Sequence, residues 1–231
     1  AAPGTYSIEV SRLAQGQKLV AAGQSSADAV VGTGTITIET GTISGGSFNA
    51  TTGQYSGASF TSSGGGTRTV TIDSSHSSLA GIRDAINAAH VGVTASIVND
   101  GSGAPYRLTL ATEGTGKTTS LRIGTTGDAA LGTLLNHDPA GTQGLAETKT
   151  AQNAELRIDG VAVSKTTNVV TDAIEGVTLT LSSTTGTTPA TVSVARDTGT
   201  AKSSVESFVS AYNAATKTIR DLSSFNAASK Q

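Results

Sequence analysis

The sequence predicts an α+β fold that is mainly β: antiparallel strands and tight turns, one short helix packed on a hairpin, and an amphipathic helix towards the C-terminus. Three observations predict it. Val, Ile and Thr recur at alternate positions between clusters of Gly, Asn, Asp and Ser. That is the pattern of pleated, half-buried surfaces broken by turns that need positive φ. Glycine is 28 of 231 residues, about 12% against a usual ~7%, while aromatics are only 3%. The apolar period lengthens from two to the helical value over two long stretches, near residues 78–90 and beyond residue 200.

Taken in order, Tyr6, Ile8 and Val10 alternate as an opening strand. Leu13, Leu19 and Val20 lie in a short stretch whose type the pattern leaves open, and residues 23–29 read as a connector. Val30 and residues 33–38 form a second strand. Residues 44–69 are nearly all Gly, Ser, Thr and Asn, interrupted by Phe48, Tyr55 and Phe60; residues 69–73 resume as a strand. Leu79, Ile82, Ile86 and Ala89 then share one helical stripe. Ser77 and Ser78 offer N-caps, and Gly92 sits where a left-handed C-cap is expected. Val91, Val93, Ala95 and Ile97 share a strand face, an Asn-Asp-Gly-Ser-Gly turn follows, and residues 106–110 return as the second strand of a hairpin.

Residues 121–123 read as a short strand and 129–135 as a helical turn. Residues 136–150 form a polar loop, the best domain boundary visible in composition. Residues 155–158 and 161–164 flank Asp159-Gly160, a dipeptide that type I′ hairpin turns prefer. Residues 177–181 and 190–194 are expected to pair with each other through Gly186 and Pro189. From Thr200, Val205, Phe208, Val209, Tyr212, Thr216, Ile219 and Leu222 make an apolar stripe about five turns long. It still includes Phe225 and meets no Gly or Pro stop signal, so the helix is expected to continue and to pack against another helix; the alternative is a terminal helix docked on its own β domain, with Phe208, Tyr212 and Ile219 all buried. On the first reading some of Phe208, Tyr212 and Ile219 are expected to be exposed here, as an inter-domain or subunit contact.

Charged residues are 14% of the chain and the net charge is −2, with Arg and Lys scattered singly. No basic stripe exists to neutralise phosphates, which argues against nucleic acid. No apolar run is long enough to span a bilayer, so no membrane role is expected. Cysteine is absent, and with it disulfides and thiolate metal sites. Methionine is absent even at position 1, which reads as a fragment or a processed product.

Residues 111–118, Ala-Thr-Glu-Gly-Thr-Gly-Lys-Thr, match a relaxed phosphate-binding loop, but a strand rather than the required helix follows, so a hairpin turn accounts for them. His76, His90 and His137 lie in separate contexts; His90 suits a helix C-terminus, and His137-Asp138 reads as a loop pair. No nucleophile elbow and no carboxylate pair appears, and no catalytic, cofactor or metal site is expected. Asn49-Ala50-Thr51 is a formal glycosylation sequon. A weak internal echo, Arg83-Asp84-Ala85-Ile86 before Gly92-Val93-Thr94 against Thr171-Asp172-Ala173-Ile174 before Gly176-Val177-Thr178, predicts similar local packing, a short helical turn ahead of a strand, with duplication as the alternative.

Four blocks carry a family resemblance. They are Leu79-Ala80-Gly81-Ile82-Arg83-Asp84-Ala85-Ile86-Asn87 with its hairpin, Gly4-Thr5-Tyr6-Ser7-Ile8-Glu9-Val10, residues 168–181, and Phe208-Val209-Ser210-Ala211-Tyr212-Asn213. In this order the chain resembles the bacterial flagellar filament cap (hook-associated protein 2) family, with residues 44–69 standing apart as an insertion. The resemblance implies a discontinuous β domain of residues 1–30 and 150–198, an inserted β-rich domain of 31–149, and the start of a helical domain at 199–231.

It also implies a non-enzymatic, secreted, extracellular protein at the flagellar tip. Such a protein assembles as a homo-oligomeric ring and helps flagellin fold and insert, with hook–filament junction proteins as further partners. An adhesion module binding host mucin or glycans is the alternative. For residues 44–69 the expectation is a hairpin whose Phe48, Tyr55 and Phe60 cover the edge of the inserted core, with Phe48 and Phe60 buried. The competing reading is a partner-binding loop that presents those three rings.

Overall fold

Alternation of β-branched and polar residues produces β1 (Gly4–Arg12), which buries Ile8 and Val10 and turns Ser7 and Glu9 outward. The computed structural model describes residues 2–223, so Phe225 lies outside the described residues. The open stretch after β1 is a strand, β2 (Lys18–Val20), centred on fully buried Leu19. The second predicted strand is longer than its alternation marked: β3 runs over Gly34–Ser44. The Gly/Ser/Thr segment beyond it is ordered into β4 (Ser47–Asn49), β5 (Gln54–Ser56) and β6 (Ser59–Ser62), followed by β7 (Arg68–Ile72).

Helix α1 (Leu79–Ala88) begins at Ser78, whose hydroxyl accepts the Gly81 amide at 3.1 Å, and buries Leu79, Ile82 and Ile86. The first left-handed residue past its end is His90 (φ 46), not Gly92, which adopts φ 77 two residues on. The predicted hairpin follows as β8 (Val93–Asn99) and β9 (Tyr106–Thr112), in register from Val93↔Thr112 to Asn99↔Tyr106. Next come β10 (Ser120–Gly127), α2 (Ala129–Leu135) and β11 (Ala146–Lys149). The expected polar loop of 136–150 is therefore a correction: His137 and Leu145 are fully buried, and a strand closes the segment.

The chain continues through β12 (Ala154–Ile158), β13 (Val161–Lys165), β14 (Val169–Ile174), β15 (Val177–Thr180), β16 (Ala190–Val194) and α3 (Gly199–Ser223). Asp159 and Gly160 both take positive φ, as a type I′ turn between β12 and β13 requires. The expected pairing of 177–181 with 190–194 fails. β15 pairs with β14 across a tight turn at Gly176, and β16 neighbours β1 instead. The internal echo has no common conformation either, because its second copy lies on strand β14 where the first is helix α1.

Two compact units result, Tyr6–Thr191 and the remainder, made of the first five residues and the chain from Val192. In the larger unit β3 is the organising strand. β10 pairs along its whole length, while its other edge is shared by β7 against Gly34–Ile38 and β6 against Gly41–Ser44. A second sheet has the order β11-β2-β9-β8. Between these sheets and the two short helices sits one core of Leu, Ile, Val and Ala, including Ile36, Ile38, Ile82, Ile86, Leu108, Leu121 and Leu131. Leu19 and Ala21 belong to that same core. A smaller group of buried side chains lies on β1 and β12, which pair through Ile8↔Ile158 and Val10↔Leu156. Among the described residues no Phe or Tyr is in the buried set, although Tyr106 is partly buried and packs against the core. In the smaller unit α3 is the main element, and none of its residues is buried.

Candidate interaction surfaces

Phe48 and Tyr55 face each other across the β4–β5 hairpin, with ring centroids 4.9 Å apart. Phe48 keeps 40% of its surface exposed and Phe60 is half-buried, so the expected burial of these two rings is corrected. The β4–β5 ladder is too short to cover a core. It is held from outside by residues far along the chain. Gln143 forms a two-bond clamp on one residue: Tyr55 N donates to its Oε1 (2.7 Å), and its Nε2 donates to Tyr55 O (2.8 Å). Gln54 Nε2 donates to Gln143 O, and Glu147 N donates to Gly53 O at 2.7 Å. Gly53 is required here. It takes φ 67, and a Cβ on it would lie 2.7 Å from the Glu147 backbone.

Beneath the hairpin lies a polar chain that the sequence did not reveal. Tyr55 donates its hydroxyl to Glu147 Oε1 (2.9 Å), Gln17 Nε2 donates to Glu147 Oε2, and Leu121 N donates to Gln17 Oε1 (2.7 Å). Gln17 and Glu147 are buried, and every bond in the chain makes up for lost water. Burial, and then the Glu147 carboxylate, push the Tyr55 hydroxyl pKa up, so it remains a donor. Sequence could not point to this set, because its members lie 92 to 130 positions apart.

Phe60, on β6, lies under Arg122, whose guanidinium carbon sits 4.8 Å from the ring centroid. Arg122 also donates through Nε and Nη2 to Glu39 Oε2. Hydrogen bonds from Ser62 and then Arg122 hold the Glu39 carboxyl below the usual carboxylate range. Gly41 makes the packing possible, since a Cβ there would meet Thr61 O and the Phe60 ring within 2.5 Å. The three rings therefore divide between two places, Phe48 with Tyr55 on the hairpin and Phe60 against Arg122.

On α3 the other three candidate residues stand together. Phe208, Tyr212 and Ile219 are 70%, 63% and 66% exposed, and the Phe208 and Tyr212 rings are 6.4 Å apart. Val205, Val209 and Leu222 extend the same exposed face. The stripe is thus an extended apolar face exposed along α3.

The remaining singled-out residues have structural settings. The phosphate-loop lookalike leads through one 3-10 turn at Lys117–Thr119 into β10. His90 is exposed beyond α1, and His76 Nδ1 lies 3.0 Å from Asp73 Oδ1. Asn49 of the sequon accepts the Thr51 and Thr52 amides at an exposed turn. His137 departs most from expectation. It is no loop pair but fully buried, with Nδ1 3.2 Å from Leu145 O and Nε2 without a hydrogen-bond partner. Burial lowers its pKa to about 4. Among the described residues no cluster of three or more His, Asp or Glu is placed to hold a metal ion, and no helix is long and apolar enough to cross a membrane.

Residues 151–231 match the family described as the flagellar hook-associated protein 2 C-terminus, and residues 47–114 match the flagellin hook IN motif. The B-type flagellar hook-associated protein 2 of Pseudomonas aeruginosa is 33% identical over 96% of this chain and 44% of its own length. The flagellar hook-associated protein 2 of Salmonella typhimurium is 36% identical over 66% of this chain and 32% of its own length. The chain thus spans less than half the length of these curated relatives. The crystal structure of FliD (HAP2) from Pseudomonas aeruginosa superposes with a TM-score of 0.73 at 31% identity, covering 98% of this chain and 94% of that one. The D1-D2-D3 domains of the Escherichia coli flagellar cap protein FliD superpose with a TM-score of 0.75 at 31% identity, covering 96% and 59%.

Proposed function

The chain belongs to the flagellar hook-associated protein 2 family, and from that premise we propose that it is the β-rich body of a flagellar filament cap together with α3, the start of its helical domain. The observation that carries this reading is the near end-to-end structural match with the Pseudomonas cap protein, at 98% and 94% coverage. In this reading the whole protein sits outside the cell at the filament tip and helps flagellin fold and insert, without chemical turnover. The subunit would form a ring with further copies of itself and contact hook–filament junction proteins.

The domain division expected from the sequence is part of the proposal, with one adjustment. The inserted domain begins nearer residue 17 than residue 31, because β2 pairs with β9 and β11 and Leu19 enters the main core. The exposed stripe of α3 supplies the contact with another helix, through Phe208, Tyr212 and Ile219. Phe48 and Tyr55 are the second candidate surface. No observation favours the adhesion reading.

The test is to supply the full-length protein to cap-deficient cells. Restored filament growth is the expected result; filaments that stay absent while the protein is folded and exported would refute the proposal.

A further inference from the structure

Residues 136–147 bring together a buried histidine, a clamp on the aromatic hairpin and a buried carboxylate, none of which the cap reading uses. His137 is locked into the core by its backbone: its N donates to Ile123 O and Ile123 N donates to its O, both at 2.8 Å, with a further bridge to Gln143. Gln143 grips both backbone polar groups of Tyr55, while Glu147 accepts from the Tyr55 hydroxyl and donates its backbone N–H to the Gly53 carbonyl. The β4–β5 hairpin forms a two-stranded sheet of its own; beyond the Ser44↔Ser59 pairing at its base, these contacts tie it to the body.

A buried imidazole whose Nδ1–H goes to a carbonyl, and whose Nε2 meets nothing, is stable there only as the neutral ring. A second proton on Nε2 would place a charge at a buried atom that has no protein acceptor. We infer that residues 136–147 form an acid-releasable clasp: protonation of His137 opens the segment, withdraws Gln143 from Tyr55 and frees the hairpin that presents Phe48. Of the neighbouring charges, Asp138 favours the protonated ring. α2 contributes no charge, Arg122 on β10 is engaged by Glu39, and on β11 Glu147 is engaged by Gln17 and Tyr55 while Lys149 is exposed. None of these offers the Nε2 proton an acceptor.

The test is hydrogen–deuterium exchange on the full-length protein between pH 7 and 4.5, corrected for intrinsic rates and read separately over 47–56, 137–147, α1 and the β8–β9 hairpin. One proton taken up on opening makes protection of 47–56 and 137–147 fall about tenfold per pH unit below ~6.5, while α1 and β8–β9 keep theirs. His137→Gln is expected to flatten that pH dependence. Gln143→Ala, at a half-buried position that leaves the core intact, is expected to expose 47–56 already at pH 7, and keeps the clasp testable if the histidine variant does not fold. Four results overturn the inference: a hairpin whose protection ignores pH, loss of protection in all segments together, an unchanged slope in His137→Gln, or a fully protected hairpin in Gln143→Ala.

Discussion

Asn87, Gln143 and Asn168 act alike: each carboxamide stands in for one residue of a missing strand. Asn87 Nδ2 donates to Ala95 O (2.9 Å) and Ala95 N donates to Asn87 Oδ1 (2.7 Å), which occupies the outer edge of β8. Asn168 makes the same pair of bonds with Ala14, and Gln143 with Tyr55. A primary amide has the donor and acceptor this needs, whereas a carboxylate or hydroxyl supplies only part of it. Losing both bonds strands two half-buried backbone groups, so Asn168→Ala is expected to lower the unfolding free energy by about 1–3 kcal/mol in a urea titration. Asn213→Ala, on exposed α3, should change it by less than about 0.5 kcal/mol and serves as the control. None of this was legible in the sequence. The partners lie 8, 88 and 154 positions apart, and an Asn or Gln that completes a strand looks like any other polar residue.

Among elements, what the sequence shows depends on whether the partner is local. Asp159-Gly160 fixes both strands of its hairpin, and Ser78 with Leu79, Ile82 and Ile86 fixes α1, because cap, turn and stripe all lie within a dozen residues. Alternation marks β15 and β16 as strands but is silent on partners. The short turn at Gly176 closes less chain than the loop through Pro189, and β15 goes to β14. Residues 44–69 misled for a different reason. A ring in a Gly/Ser/Thr segment is expected to seek a core, yet this core is filled by Leu, Ile and Val. Phe48 is left packed on one neighbouring ring and 40% exposed. Phe48→Ala should therefore cost about 0.5–1.5 kcal/mol, the size of an aromatic pair, and not the ~3 kcal/mol of a buried ring. Phe60→Ala also loses its contact with Arg122 and should cost about 1–2 kcal/mol. Thermal melts of the two variants check both values, and a larger loss for Phe48→Ala than for Phe60→Ala would contradict this packing.

At the scale of the molecule the two units differ in what stabilises them. Tyr6–Thr191 contains every buried apolar residue of the described chain, whereas α3 has 25 residues and buries none of them. A helix without a buried face depends on propensity and on i, i+4 pairs such as Lys202–Glu206 and Lys217–Asp221, each worth about 0.2–0.5 kcal/mol. Heated as this chain alone, the protein should lose helical signal at 222 nm gradually, below a cooperative transition of the sheets. In the full-length protein, where another helix is proposed to cover Phe208, Tyr212 and Ile219, that early loss should disappear. Replacing Phe208 and Tyr212 together with Asp separates folding from assembly. The sheets should melt at an unchanged temperature, because neither ring is buried, while ring formation by the full-length protein, followed by sedimentation, should fail. Rings that still assemble would show that the stripe is not the contact, and a lowered sheet transition would show that α3 stabilises the β body directly.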